Sequence, residues 1–398
     1  MKRVLFTQAS LAPVGGGNGV AAWILEALKE HYRIAVLTFE KPDLARINRF
    51  FGTTLKSTDF DLFLVTGWFP HVVSKFPTPL AMLKAYYLYW RCRRLAPQYD
   101  IAITADNEAD MGSCGVQYVH FPRFFPHRPA VDLKWYHGFR ALRWAYYRVP
   151  AWVTGFSEQR MRRNVTLVNS EYTGRHFNAV HGTKTITLYP PAIGTFPKVP
   201  WELRKRGFLI IGRIAPEKRI ELAIEILKRV RDLGVEVHLH VIGIAPVETY
   251  ANLVRDLVKA NAAWVSLHEN LSRTELLQLI STHRYGLHAM KDEPFGMAVA
   301  ELVSGGCIPF VYNGGGPVEI VDHDPWLIYD TAEEAAEKIA QTLQDDSRQM
   351  VVRERLARRK ELFTTQRFVL GVRESVAAAD NCKEPITCPS VTECPGLR

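Results

Sequence analysis

The strongest constraint on the fold is an alternation that the chain runs through twice. Short β-branched or apolar runs recur at residues 4–7, 34–38, 62–65, 101–104, 116–119, 165–168 and 186–189, with helical or irregular stretches between them. Continuous apolar runs suit strands buried on both faces, and strands joined through helices form a parallel sheet covered on both sides. Tyr189-Pro190-Pro191 stops the pattern, and a stretch rich in proline and charge leads to Arg206. A second series follows at residues 208–211, 237–242, 265–268, 285–288, 309–311 and 327–329. With 398 residues the chain can fill two ordinary cores. The expectation is an α/β protein with two Rossmann-like domains: residues 1–191, a linker at 192–206, residues 207–363, a last helix at 364–379 and a tail at 380–398.

Within that frame one stretch carries chemistry, G-L-H-A-M-K-D-E-P-F-G-M-A-V-A-E from Gly286 to Glu301. It reads as a strand, a sharp turn and a helix. Pro294 fits a first helical turn, where its missing N–H costs nothing, and Gly296 lets a ligand approach the backbone. A helix N-terminus binds phosphate readily. Glu293 stands at its lip, and Glu301, eight residues on, is placed to accept hydrogen bonds from sugar hydroxyls. The pattern suits a polyol joined to phosphate, although a glutamate at a helix start also serves simply as a dipole partner.

Other groups sit at strand ends. Arg213 and Lys218 follow the run 208–211 and a glycine; they suit a diphosphate, the Arg as a planar fork and the Lys as a compact charge, or they are ordinary surface charges. Gly15-Gly16-Gly17-Asn18-Gly19 joins the first strand to a helix expected from Val20. It fails as a dinucleotide fingerprint, since Val20 stands at the third glycine position, and reads as a ligand contact or a tight turn. His120 closes a strand at the edge where open α/β sheets bind ligands, or is structural. Asp106, Asn107, Glu108 and Asp110 read as acceptor-hydroxyl ligands or a solvated acidic loop. Ser272 with Glu275, and Thr331 with Glu334, have capping-box spacing.

The segment from Glu293 to Glu301 resembles the E-x7-E signature of retaining family 4 glycosyltransferases with the GT-B fold, and G-L-H-A-M is similar to the α-1,2-mannosyltransferase branch. The resemblance implies two Rossmann-like domains facing across a cleft, with the last helix crossing back to the first, and transfer of a hexose with retention of α configuration. It implies that Glu293 and the backbone of Phe295, Gly296 and Met297 hold the donor sugar, Glu301 the ribose, and Arg213 and Lys218 the diphosphate. Gly16 and Gly17 would face the donor, and His120, in Y-V-H-F-P, would touch its sugar. The donor implied is GDP-mannose in preference to a UDP-sugar; the acceptor is a glycan or a lipid-linked sugar. No cofactor is expected. D-x-D occurs at Asp59 to Asp61 and Asp322 to Asp324, but Arg213, Lys218 and a helix end already neutralise a leaving diphosphate, so no metal is expected either.

Composition narrows the partners less. A net charge of +9 favours nucleotide, nucleic acid or anionic membrane without choosing among them. Nucleic-acid binding needs aromatic and basic residues along a groove. Here they sit in two helices, around Leu80, Leu83, Tyr87 and Trp90 and around Trp135, Phe139, Leu142 and Tyr146, edged by Lys and Arg in a way that suits an anionic membrane surface. No apolar run is long enough to span a bilayer, so the expected location is cytoplasmic, peripheral on the inner face of a membrane. Cys92, Cys114 and Cys307 read as reduced thiols, and Cys382, Cys388 and Cys394 as part of a loose tail. A nucleotide-sugar epimerase on the same fold and a basic nucleic-acid-binding protein are the rival readings.

Overall fold

The computed structural model describes residues 1–12, 15–67, 81–123 and 140–381. The three tail cysteines, the start of one aromatic-basic helix and most of the aromatic stripe of the other lie outside them. Two parallel sheets organise the chain. The first runs in the order β3-β2-β1-β4-β5-β6-β7, with β1 Arg3–Thr7, β2 Arg33–Thr38, β3 Phe60–Leu64, β4 Ile101–Thr104, β5 Val116–Val119, β6 Val165–Val168 and β7 Ile186–Thr187. The second runs β10-β9-β8-β11-β12-β13, with β8 Lys205–Ile211, β9 His238–Gly243, β10 Val265–Glu269, β11 His283–His288, β12 Ile308–Tyr312 and β13 Ile328–Tyr329. The central strands β1, β2, β4 and β5 were legible as apolar runs because both of their faces are covered. β1, for example, buries Val4, Phe6 and Leu5 on opposite faces, and pairs in register with β2 and β4.

Each sheet has a core of its own. Phe208, Tyr285 and Phe310 stack in the second, beside Val299 and Ile339. Val4, Phe6, Ile24 and Val36 fill the first, and the last helix, Thr365–Asn381, adds Phe368, Val372, Val376 and Ala379 to it. Burial of four such side chains holds that helix on the first sheet at roughly 1.5–3 kcal/mol for each of the larger ones.

Local expectations met mixed outcomes. Ser272 and Glu275 form a complete capping box. Thr331 accepts from the Glu334 amide, but the Glu334 carboxylate turns to the Asp330 amide, so only half of the second box exists. The first helix begins at Gly16, not Val20, which puts Gly16, Gly17 and Gly19 in its first turns. Pro294 is not in a first helical turn: the helix starts at Met297 after Gly296, whose φ of 99° is open to glycine without strain.

Candidate active site

In each sheet the strand order reverses beside the first strand of its series, and ligands of open α/β sheets lie outside the carboxyl ends at such a point. In the second sheet the reversal falls between β8 and β11. β8 leads to Gly212, Arg213 and Lys218; β11 leads to Glu293. Lys218 Nζ hydrogen-bonds the Glu293 carboxylate and lies 3.4 Å from Met290 Sδ. Gly212 allows this, since a Cβ there would stand 3.3 Å from the Lys218 stem. His288, the last residue of β11, puts Nε2 3.5 Å from Glu293 Oε2 and is buried. Burial alone would raise the Glu293 carboxyl, but the Lys218 charge and the His288 ring outweigh it and hold the group well below the usual carboxylate range. Burial lowers His288, leaving a neutral imidazole at neutral pH.

Beyond Glu293 the chain is held by backbone. Glu293 bridges to Gly315 and its carbonyl accepts from the Gly316 amide at 2.8 Å. Gly316 must lack a Cβ, which would meet Phe295 Cα at 2.6 Å. The helix Met297–Ser304 then opens without a side-chain cap, so its first amides face outward with the positive end of the dipole. The Phe295 side chain is buried against Tyr189 and Phe363, which leaves only its backbone to face a ligand.

The first half closes on this corner. A Cβ on Gly16 would lie 3.0 Å from Met297 Cγ, and one on Gly17 3.2 Å from His120 Nε2, so the glycine loop is packed between the two. His120 bonds the Ala105 carbonyl through Nε2 at 3.0 Å, and its amide donates to Asn107 Oδ1 at 2.7 Å. Burial lowers its pKa, making it a neutral imidazole at neutral pH.

The structure separates some groups that the spacing brought together. Arg213 does not converge with Lys218: its guanidinium pairs with Glu217 at 2.8 Å and is 59% exposed, while Lys218 faces Glu293. Glu301 is buried and pairs with Arg273 at 2.7 Å. The acidic stretch after β4 is not a solvated loop. Asp110 is fully buried between Arg93 and Arg160, Asp106 pairs with Arg123, and Asn107 Oδ1 is taken by two backbone amides. These groups hold the loop and do not point to an acceptor. Of the D-x-D pairs, Asp324 is spent on Arg355 at 2.6 Å.

Three participants, Ser170, Arg273 and His288, had no sequence signal of their own, and a fourth, Glu319, stood out only as part of a turn and helix. Glu319, within N-G-G-G-P-V-E-I, reaches across to the first half, where its carboxylate accepts from the Glu171 and Tyr172 amides at 2.8 and 2.6 Å and caps the helix Glu171–His181. Ser170 donates to the Pro294 carbonyl beside it. These bonds strap the halves together next to Glu293. Arg273 and His288 were likewise visible only once their partners were in place.

Residues 195–360 match the family described as Glycosyl transferases group 1. A GDP-Man:Man(3)GlcNAc(2)-PP-Dol alpha-1,2-mannosyltransferase of Mus musculus is 29% identical over 240 residues, 52% of this chain and 48% of that protein. Its Homo sapiens counterpart is 26% identical over 302 residues, 67% and 61% of the two chains. The Dictyostelium discoideum protein of the same name is 29% identical over 204 residues, 45% and 40%. The chain therefore spans about half the length of the relatives it matches. Anabaena Alr3699/HepE, solved in complex with UDP, superposes with a TM-score of 0.65 at 15% identity, covering 95% of this chain and all of that one. WaaG, a glycosyltransferase of lipopolysaccharide biosynthesis, gives 0.58 at 14% identity over 96% and 100%. The architecture is GT-B, and residues 195–360 of its second half match the glycosyl transferases group 1 family.

Proposed function

We propose that this chain is a glycosyltransferase that moves a hexose, mannose from GDP-mannose, onto a glycan or lipid-linked sugar with retention of α configuration. The observation that carries the reading is the Lys218–Glu293 pair at the strand-order reversal, between neutral His288 and an uncapped helix end, with Gly16, Gly17 and His120 closing the opposite wall. A nucleoside diphosphate-sugar fits that order of charges. Lys218, Arg213 and the amides of Gly296 and Met297 take the diphosphate; Glu293 and His120 take the sugar; Glu301, oriented by Arg273, takes the ribose. The names of the mouse and human relatives support GDP-mannose and a lipid-linked acceptor.

In the step proposed, the bond from the anomeric carbon to the leaving phosphate oxygen breaks as the acceptor oxygen bonds the same carbon from the same face. The acceptor proton passes to the departing diphosphate. The chain supplies electrostatic stabilisation of that oxyanion, the largest contribution in many such sites. Arg213, exposed and held among the described residues by Glu217, closes on the diphosphate when the donor binds.

The acceptor side is proposed to meet an anionic membrane on its cytoplasmic face. Among the described residues no helix is long and apolar enough to cross a membrane. Yet the helix Arg140–Thr154 leaves Val149, Trp152 and Val153 exposed, Trp152 by 84%, and Trp90 carries Arg94 over its ring at 4.1 Å. Apolar rings edged by basic residues suit the interface.

The test is a thermal-shift screen with GDP, UDP and ADP, followed by NMR of the anomeric centre of product made from GDP-mannose and a lipid-linked oligosaccharide. Stabilisation by GDP and an α-linked product are expected. A sugar altered without any acceptor would replace the reading with an epimerase, and no stabilisation by any nucleotide would overturn it.

A further inference from the structure

Far from the cleft, four histidines gather on the second sheet. His238 and His283 are the first residues of β9 and β11, so they mark the amino ends of the strands, whereas the cleft lies at the carboxyl ends. His240 follows His238 by two residues and shares its face. β8 lies between β9 and β11, and the residue it sets beside His238 is Gly207. Any side chain at 207 would collide with the His238 ring. The glycine thus opens a floor over which the rings of His238, His240 and His283 meet, with centroids 5.2, 5.4 and 4.7 Å apart. One ring nitrogen from each lies within 4.8 Å of those of the other two.

The hydrogen bonds around the cluster are those of ligands held in place. His283 is 1% exposed. Its Nδ1 meets the Leu279 carbonyl at 2.8 Å, which fixes the proton there and leaves a bare lone pair on Nε2. That Nε2 is buried with no hydrogen-bond partner among the described residues. His240 Nδ1 meets His268 Nε2 at 2.8 Å, and in the tautomer in which Nδ1 donates, its own Nε2 offers a lone pair. Metal-bound histidines are oriented in this way through their second nitrogen. A cluster that served packing alone would gain more from apolar side chains, which bury no unpaired nitrogen.

We propose that His238, His240 and His283 bind a zinc-type transition-metal ion, with His268 orienting His240. Three imidazoles without a carboxylate or thiolate suit zinc, copper or nickel and not magnesium or calcium. Zinc–nitrogen bonds of about 2.0–2.1 Å require nitrogens roughly 3.4 Å apart in a tetrahedron, so the rings close by at most about 1.4 Å on binding. His238 and His240 are half-buried, giving the ion a path from solvent, and Lys205, paired in register with His283, is exposed. The ion ties β9 to β11 across β8 and leaves a fourth position to water. This site is independent of the reading of the cleft.

The experiment uses the full chain without a histidine tag, stripped with chelator and titrated with Co2+, then with Zn2+. One equivalent of Co2+ should give the visible absorption of a four-coordinate ion, Zn2+ should abolish it, and Zn2+ should raise Tm. His240→Gln and His283→Gln, checked for folding by circular dichroism, should each lose both signals, and His268→Gln should weaken binding by about 10–100-fold, as loss of an orienting partner does. The wild-type titration needs no variant: absence of a stoichiometric Co2+ spectrum overturns the proposal. So does a spectrum that survives both His240→Gln and His283→Gln, because the ion would then sit elsewhere.

Discussion

Lys218→Met removes a charge and keeps most of the side-chain stem. In the structure this leaves Glu293 facing a neutral His288 at 3.5 Å, with burial no longer offset by a cation. Breaking a buried ion pair from one side costs about 3–5 kcal/mol. The low end applies here, because Lys218 and Glu293 keep 18% and 17% side-chain exposure. Adding Glu293→Gln removes the stranded charge, so the double variant should recover most of that stability in urea melts. Nucleotide binding should behave differently. If Lys218 meets the diphosphate, its loss costs the charge-assisted bonds, about 1.5–3 kcal/mol or roughly 10–150-fold in GDP affinity, and Glu293→Gln cannot restore them. Calorimetry with GDP beside the melts separates the two roles. A Lys218→Met variant that binds GDP like wild type, or a double variant that regains affinity along with stability, would make the pair purely structural and refute the reasoning.

Other expectations follow from single contacts. Arg213→Ala should leave Tm nearly unchanged, since an exposed pair with Glu217 contributes little, yet lower turnover at saturating donor by about two to three orders of magnitude; unchanged turnover would remove Arg213 from the site. Glu301→Ala should weaken free nucleotide by about 1.5–3 kcal/mol, whereas Glu293→Gln should spare nucleotide and depress transfer, and the reverse result would invert the donor in the cleft. The Glu293 pKa is depressed from an ordinary 4.5, so its contribution to stability is present above that value and lost as pH falls through the folded one. Acid melts of wild type and Glu293→Gln should therefore converge below about pH 4.5, and a constant gap down to strongly acid pH would contradict the depressed value. Trp152→Ala should reduce co-sedimentation with anionic vesicles, and added salt should weaken that of wild type; recovery equal to wild type would leave the exposed ring without this role.

The strands of both series were legible in the sequence, most plainly the central ones, because parallel strands with both faces covered are written as continuous apolar runs, and the break at Tyr189-Pro190-Pro191 separates the two series. The turn from Glu293 to Met297 was legible because backbone approach there demands glycine, although the helix begins later than proline placement suggested. Partnership was not legible, since it depends on contacts between residues far apart in the chain. Arg213 and Lys218 are five residues apart and point to different carboxylates; Glu301 meets Arg273; Glu319 caps a helix some 150 residues earlier, its oxygens on the amides of Glu171 and Tyr172. The acidic stretch after β4 shows the same limit, because a run of Asp and Glu looks solvated until Arg93, Arg123 and Arg160 arrive from other elements. The histidine cluster is the clearest case. Its members are scattered from 238 to 283, and only the register of β8 between β9 and β11, with Gly207 at the crossing, brings their nitrogens within reach of one ion.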